Sequence, residues 1–255
     1  LKEKLKDKKI KQTYKNFENF LDIKQNFVVS VSGGADSLAL AFLAKIYSIK
    51  NRLDPKYVII DHKLRPESSK EAKLVKKFLE RFFIYTDILS WKGKKPTKNI
   101  QSLARKKRYE LLFAYCDKFK INNILIGHHR DDLFENFFIR MLRGSGLNGL
   151  VSLNTKSKIG NKNLLRPLLN QNKEDLEYIS KKVFNFYVND PTNKDEKYLR
   201  IRVRKLISDL QKNGLDKNKF LKTIKNLKDS NFVVDFYVKQ NLLNNTFFSN
   251  KNNLL

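Results

Sequence analysis

Between residues 26 and 142, short apolar runs alternate with longer segments in which apolar residues recur every three or four positions. That alternation restricts the fold more than any other feature of the chain. Strands joined by helical crossovers lie parallel in one sheet. Asn26–Val31, Lys56–Asp61, Phe83–Leu89 and Asn122–Gly127 are the predicted strands. Ser37–Ile49, Ser68–Phe82, Ile100–Phe119 and Asp131–Leu142 are the predicted helices, the second with Ala72, Val75, Phe78 and Leu79 on its apolar face. Beyond Gly149 the pattern loosens, although Glu174–Phe186 and Glu196–Leu210 still read as helices and 215–255 as a polar helical tail. The expected class is α/β: an open, twisted, parallel sheet with helices on both faces and a small helical C-terminal extension. The 255 residues suit one large domain, or one domain with an appendage. The expected division is 1–210 and 211–255, near the punctuation at Gly214.

Charge speaks to partners. Lys and Arg number 53 against 26 Asp and Glu, a net charge of +27, which suits a nucleic acid or an anionic membrane surface. One cysteine, Cys116, excludes an internal disulfide framework and a CxxC metal site within the chain. Three histidines, His62, His128 and His129, leave little room for zinc. The best apolar run, Leu38–Ala44, falls far short of the roughly 20 residues of a membrane span. Residues 1–12 lack the apolar stretch of a secretory signal, so a cytoplasmic protein with no membrane partner is expected.

Ser32-Gly33-Gly34-Ala35-Asp36-Ser37 joins the first predicted strand to the first predicted helix. Its glycines permit a tight turn and close approach to a ligand. The helix start directs free N–H groups and a positive dipole end into the turn, and Ser32 and Ser37 add hydroxyls. The result is an anion cradle suited to phosphate, although without the GxxxxGK[ST] pattern of a Walker loop. A plain turn with Asp36 or Ser37 as helix cap is the bland alternative.

Six further segments carry polar residues in suggestive places. Asp61, His62 and Arg65 follow the second strand, with Ser68 and Glu71 spaced as a capping box. Gln101, Arg105 and Arg108 share one helical face, a row of forks for phosphate or simply a solvated basic face. Gly127-His128-His129-Arg130-Asp131-Asp132 ends the fourth strand, and Asp132 with Glu135 one turn later could hold an ammonium group or Mg²⁺, or serve the helix dipole. Arg143-Gly144-Ser145-Gly146 and Arg166-Pro167-Leu168-Leu169 come next. The turn at 190–193 then leads into Arg200, Arg202 and Arg204, of which Arg200 and Arg204 share a face. Ten of the twelve arginines lie in or beside these segments, where a planar guanidinium fork matters more than charge alone.

The SGGxDS loop resembles the signature of the PP-loop ATP-pyrophosphatase family. The complete order (SGGxDS, DHxLRxES, QxxARxxRY, GHHxDDxxE, RGSGxxGL, RPLL, then DxxN and RxRxR) is similar to one branch, the tRNA(Ile)-lysidine synthases, across about residues 26–210. Ile201 departs from that pattern, where the branch usually has Asn, and 215–255 match weakly.

The resemblance implies an ATP-binding catalytic domain over 1–210, with 211–255 a helical tail or a truncated tRNA-contacting extension. It implies a ligase that adenylates the wobble cytidine of an isoleucine tRNA with a CAU anticodon, then joins free L-lysine to carbon 2. Lysidine, AMP and pyrophosphate are the products. ATP and Mg²⁺ are the implied cofactors, and a homodimer is compatible with the family. By the resemblance, Ser32, Gly33, Gly34, Ala35, Asp36 and Ser37 bind ATP, and Asp36 helps hold Mg²⁺. Asp36, Arg105, His128 and Arg204 are the implied catalytic residues: Arg105 and Arg204 at the α-phosphate or oxyanion, His128 in proton transfer. Asp132 and Glu135 hold lysine. The rival PP-loop tRNA thiolases need paired cysteines or an iron–sulfur cluster, and Cys116 stands alone.

Overall fold

The computed structural model describes residues 1–93, 100–188 and 195–245. The strands are β1 (Phe27–Val31), β2 (Lys56–Asp61), β3 (Thr86–Ser90), β4 (Asn123–Leu125), β5 (Lys156–Ile159) and β6 (Lys162–Leu165). They form one sheet in the order β3-β2-β1-β4-β6-β5. β1 pairs in parallel with β2 and with β4, setting Val29 beside both Tyr57 and Leu125. β2–β3 and β4–β6 are also parallel, whereas β5 and β6 form an antiparallel hairpin.

The helices are α1 (Lys8–Phe20), α2 (Ala35–Asn51), α3 (Ser68–Glu80), α4 (Ile100–Lys118), α5 (Arg130–Met141), α6 (Leu147–Leu150), α7 (Lys173–Phe184), α8 (Leu199–Lys212) and α9 (Lys217–Asn245). Successive strand residues point to opposite faces, and each face has its own core. Phe27, Val29, Val31, Tyr57, Ile59, Leu125 and Leu165 pack with residues of α1, α2, α3 and α7. The intervening Val28, Val58, Ile124 and Leu164 pack with Leu112, Tyr115 and Cys116 of α4. A strand buried on both sides reads as a continuous apolar run, as FVVSV does.

The α/β expectation holds, with one addition and two corrections. Helix α1 was not expected from the lysine-rich start. Asp7 caps it, its carboxylate accepting from the Lys9 and Ile10 N–H groups, and Ile10, Tyr14 and Phe17 are buried at helical spacing. The sheet is mostly rather than wholly parallel, because the β5–β6 hairpin closes one edge. Strand lysines hid this hairpin: β5 reads KSKI, and Gly160, with φ of 58°, makes the turn. The capping box is not formed either. Glu67 occupies the cap position of α3, Ser68 Oγ turns to Asp61, and Glu71 pairs with Arg65 at 2.9 Å.

The chain divides into two compact units, Leu1–Leu133 with Thr155–Asn193, and Phe134–Asn154 with Lys194–Leu255. The first contains the sheet. In the second, the Phe220 ring of α9 meets those of Phe134, Phe137 and Phe138 at 5.2, 5.2 and 5.3 Å between centroids. Among the described residues no helix is long and apolar enough to cross a membrane.

Candidate active site

Strand order reverses between β1 and β4, which are neighbours although they are first and fourth in sequence. Loops leaving the carboxyl ends of such a pair diverge and leave a crevice, the usual ligand position in an open α/β sheet. Residues 32–37 leave β1 and residues 126–129 leave β4.

The first loop is closed by its own last residue. Ser37 Oγ accepts from the Ser32 and Gly33 N–H groups and lies 3.1 Å from Ser32 Oγ, while its hydroxyl donates to Gly34 O at 2.9 Å. Ser37 therefore holds the loop rather than adding the free hydroxyl expected from sequence. Helix α2 begins at Ala35 with Gly34 as its cap, so neither Asp36 nor Ser37 caps it. The first turn of α2 has N–H groups without intrahelical acceptors, available to an anion. Gly33 has φ of 88°, and a Cβ there would lie 2.6 Å from Val75 Cγ2. Gly127 packs flat on the loop, where a Cβ would stand 3.4 Å from Asp36 O and Ser37 N.

Ser32, Asp36, Ser37, Arg108, Gly127 and His128 contribute to the lining of a cavity of about 140 Å³. A larger one, about 700 Å³, lies near the amino ends of β1 and β4 and is lined by Lys24, Asn123, Lys156 and others, away from the loop.

Asp36 Oδ1 is buried and accepts no hydrogen bond. Its other oxygen lies 3.6 Å from His129 Nε2, which is also 3.6 Å from Asp132 Oδ2. His129 Nδ1 accepts from the Asp131 N–H, and the His129 N–H donates to Asp132 Oδ2 at 2.9 Å. Buried His129 thus stands between two carboxylates, a duty the sequence did not reveal: nothing in a His-His pair tells which ring turns inward. Burial pushes the Asp36 carboxyl above the usual range; His129 opposes this and the neighbouring Asp132 charge adds to it. The orphaned Asp36 oxygen fits a cation. Among the described residues no group of three or more His, Cys, Asp or Glu could enclose a metal. A Mg²⁺ held by Asp36 would therefore take its remaining oxygens from triphosphate and water.

Asp61 is buried at the end of β2 and accepts from Ser68 Oγ at 2.9 Å, Ser69 Oγ at 2.5 Å and the Lys63 N–H at 2.9 Å. Burial raises its pKa, but the hydrogen bonds from Ser69, Lys63 and Ser68 outweigh burial and leave it below the usual range. His62 meets the Trp91 ring edge-on at 6.3 Å. On α4, Arg108 lines the cavity, whereas Arg105 lies over the Tyr109 ring, 5.3 Å from its centroid. The side chain of Gln101 and the turn at 190–193 lie outside the described residues. In the second unit, Glu135 is 2% exposed and accepts from Arg200 Nε and, at 2.5 Å, from Arg204 Nε. Arg202 turns away and donates to Glu196 O and Lys197 O. Cys116, on α4, is buried in the core, and burial pushes its thiol up to about 11, which leaves little reactive thiolate.

A family model described as a PP-loop domain matches residues 3–210. The chain belongs to the PP-loop family. Among relatives, it is 42% identical over 197 residues to the tRNA(Ile)-lysidine synthase of Orientia tsutsugamushi (strain Boryong), covering 76% of this chain and 44% of that protein. To the tRNA(Ile)-lysidine synthase of Wolbachia pipientis wMel it is 38% identical over 181 residues, with 70% and 42% covered. The PP-loop chain thus spans less than half the length of these two relatives. Its fold is similar to that of the U34-tRNA thiolase NcsA from Methanococcus maripaludis, solved with its 4Fe–4S cluster. There the TM-score is 0.73 at 18% identity, over 86% of this chain and 78% of that one. The likeness supports the fold.

Proposed function

We propose that this PP-loop chain carries the catalytic part of an ATP-dependent ligase that attaches lysine to the wobble cytidine of an isoleucine tRNA with a CAU anticodon. The observation that carries the reading is the shared cavity of the Ser32–Ser37 loop, Asp36 and His128. The two relatives named tRNA(Ile)-lysidine synthase supply the substrate. On this reading residues 1–210 are the catalytic domain and 211–255 a tRNA-contacting extension. A net charge of +27 suits a tRNA-sized polyanion.

The chemistry has two parts. A cytosine carbonyl oxygen is a poor leaving group, so it first attacks the α-phosphorus of ATP and pyrophosphate departs. The lysine amine, once its ammonium has released a proton to solvent, attacks carbon 2, AMP leaves with that oxygen, and the new nitrogen substituent sheds a further proton. The N–H groups of the Ser32–Ser37 loop hold the departing pyrophosphate, where charge accumulates. Asp36 holds Mg²⁺, which supplies charge neutralisation at the phosphates. Arg105 and Arg204 serve the α-phosphate or the oxyanion. Asp132, and Glu135 when released by its arginines, receive the lysine ammonium. His128 acts at the reacting atoms. ATP is bound as substrate, and a cytoplasmic location fits the reaction.

Incubation with ATP, Mg²⁺, the CAU isoleucine tRNA transcript and labelled lysine tests the proposal. Label in tRNA, in step with AMP release, is expected. ATP turnover without incorporation of label would refute the choice of nucleophile.

A further inference from the structure

The segment Arg166–Leu169 takes no part in the scheme above, yet Arg166 is among the most buried charged residues, at 5% exposure. Its main-chain N–H donates to Thr155 O at 2.8 Å, which anchors it where β6 ends. Its guanidinium is shared among several partners. NH1 donates to Ser157 Oγ at 2.8 Å, and Nε donates to His128 Nδ1 at 3.1 Å. Tyr109 is a further hydrogen-bonding neighbour of the group and Arg105 a nearby like charge.

A guanidinium only donates. The nitrogen facing it must therefore be bare. Neutral imidazole carries a single ring proton, so a bare Nδ1 places that proton on Nε2. His128 lines the loop cavity together with Ser32, Asp36 and Ser37. A ring held in this tautomer offers that cavity a donor and no free basic nitrogen.

We propose that Arg166 is a positioning residue that locks His128 as an Nε2–H donor. His128 then serves the reaction by hydrogen bonding to an oxygen that gains negative charge, not by removing a proton from the lysine ammonium. The tautomer follows from the geometry alone, while its use in catalysis rests on the proposed ligase reading.

The ring nitrogens report the tautomer directly. The chain has three histidines, so two-bond ¹⁵N–¹H correlation of the full-length ¹⁵N-labelled protein gives three ring systems, and H128Q removes one of them. We expect a bare Nδ1 and a protonated Nε2 on His128 at neutral pH. In R166M, Nδ1–H should become populated; in R166K, whose ammonium can still donate, the native pattern should persist. A proton on Nδ1 of native His128, a doubly protonated ring, or an unchanged tautomer in folded R166M would overturn the proposal. The native spectrum decides even if R166M does not fold. Lysine transfer supplies the second reading. A glutamine amide nitrogen can replace Nε2–H, whereas asparagine reaches only the Nδ1 position. H128N should lose about 10²-fold in kcat and H128Q clearly less, with KM for ATP little changed in both. Equal loss in the two would count against donation. Failure of every variant and of the native chain to transfer lysine would strike the ligase reading and leave the tautomer to the spectrum.

Discussion

The hydroxyl oxygen of Ser37 lies 3.1 Å from the amide nitrogen of Gly33 and accepts its proton. With the matching bond from Ser32, one side chain satisfies two loop amides and folds the segment back on the start of α2. The loop is thereby shaped before any ligand arrives, and the first-turn amides of α2 remain for the ligand.

Ser37→Ala should consequently unlatch the loop. Removing one acceptor strands two amides, and stability should fall by about 1–3 kcal/mol in urea titrations. ATP affinity should fall as well, by isothermal titration. Wild-type stability together with wild-type affinity would show that the latch is dispensable.

Gly33 tests sterics and backbone separately. Its φ of 88° is left-handed, and a Cβ would press on Val75 Cγ2 at 2.6 Å. Gly33→Ala should cost about 1–3 kcal/mol. Adding Val75→Ala relieves the clash but not the dihedral, so the double variant should stay less stable than Val75→Ala alone. Equal melting temperatures for those two would confine the effect to packing.

These features also mark what the sequence could tell. FVVSV followed by SGGADS announces a buried strand, a tight turn and a helix start, because each depends on local chemistry. The separation of Arg200 and Arg204 from Arg202 was legible for the same reason, helical period alone. Other features depend on distant partners. Nothing local shows that Ser68 turns to Asp61 instead of capping its own helix, or that Arg166 reaches His128, 38 residues away. The hairpin of β5 and β6 was obscured because an edge strand rich in lysine lacks an apolar alternation. Helix α1 did leave a signal, Ile10, Tyr14 and Phe17 on one face, masked by the surrounding lysines.

Asp36 predicts a conflict between stability and function. Its carboxyl is raised by burial, so the folded state binds that proton more tightly than the unfolded chain. The resulting stabilisation is present below the unfolded pKa of about 3.9 and is lost as pH rises through the higher folded value. At neutral pH the ionised group is a cost. Asp36→Asn should raise the melting temperature at pH 7 by a few degrees, about 2–4 °C per kcal/mol, while abolishing pyrophosphate release. The gain should shrink at pH 4. A lower melting temperature at pH 7 would contradict the assignment.

In the second unit Glu135 couples Arg200 to Arg204. A double-mutant cycle of Glu135→Gln with Arg204→Ala should give a coupling of about 0.5–3 kcal/mol by urea denaturation. The guanidinium is partly exposed, which favours the lower half of that range. Additive effects would mean that the pair contributes nothing to stability.

The central claim is that the Ser32–Ser37 loop grips pyrophosphate while the adenylyl group is transferred. Its most direct test follows ATP labelled at the α-phosphate, turned over with the CAU isoleucine tRNA and lysine. The label should appear in AMP, with one pyrophosphate released per AMP, and Asp36→Asn should stop both. Label in ADP, with release of inorganic phosphate, would place the cleavage at the other bond and contradict the account.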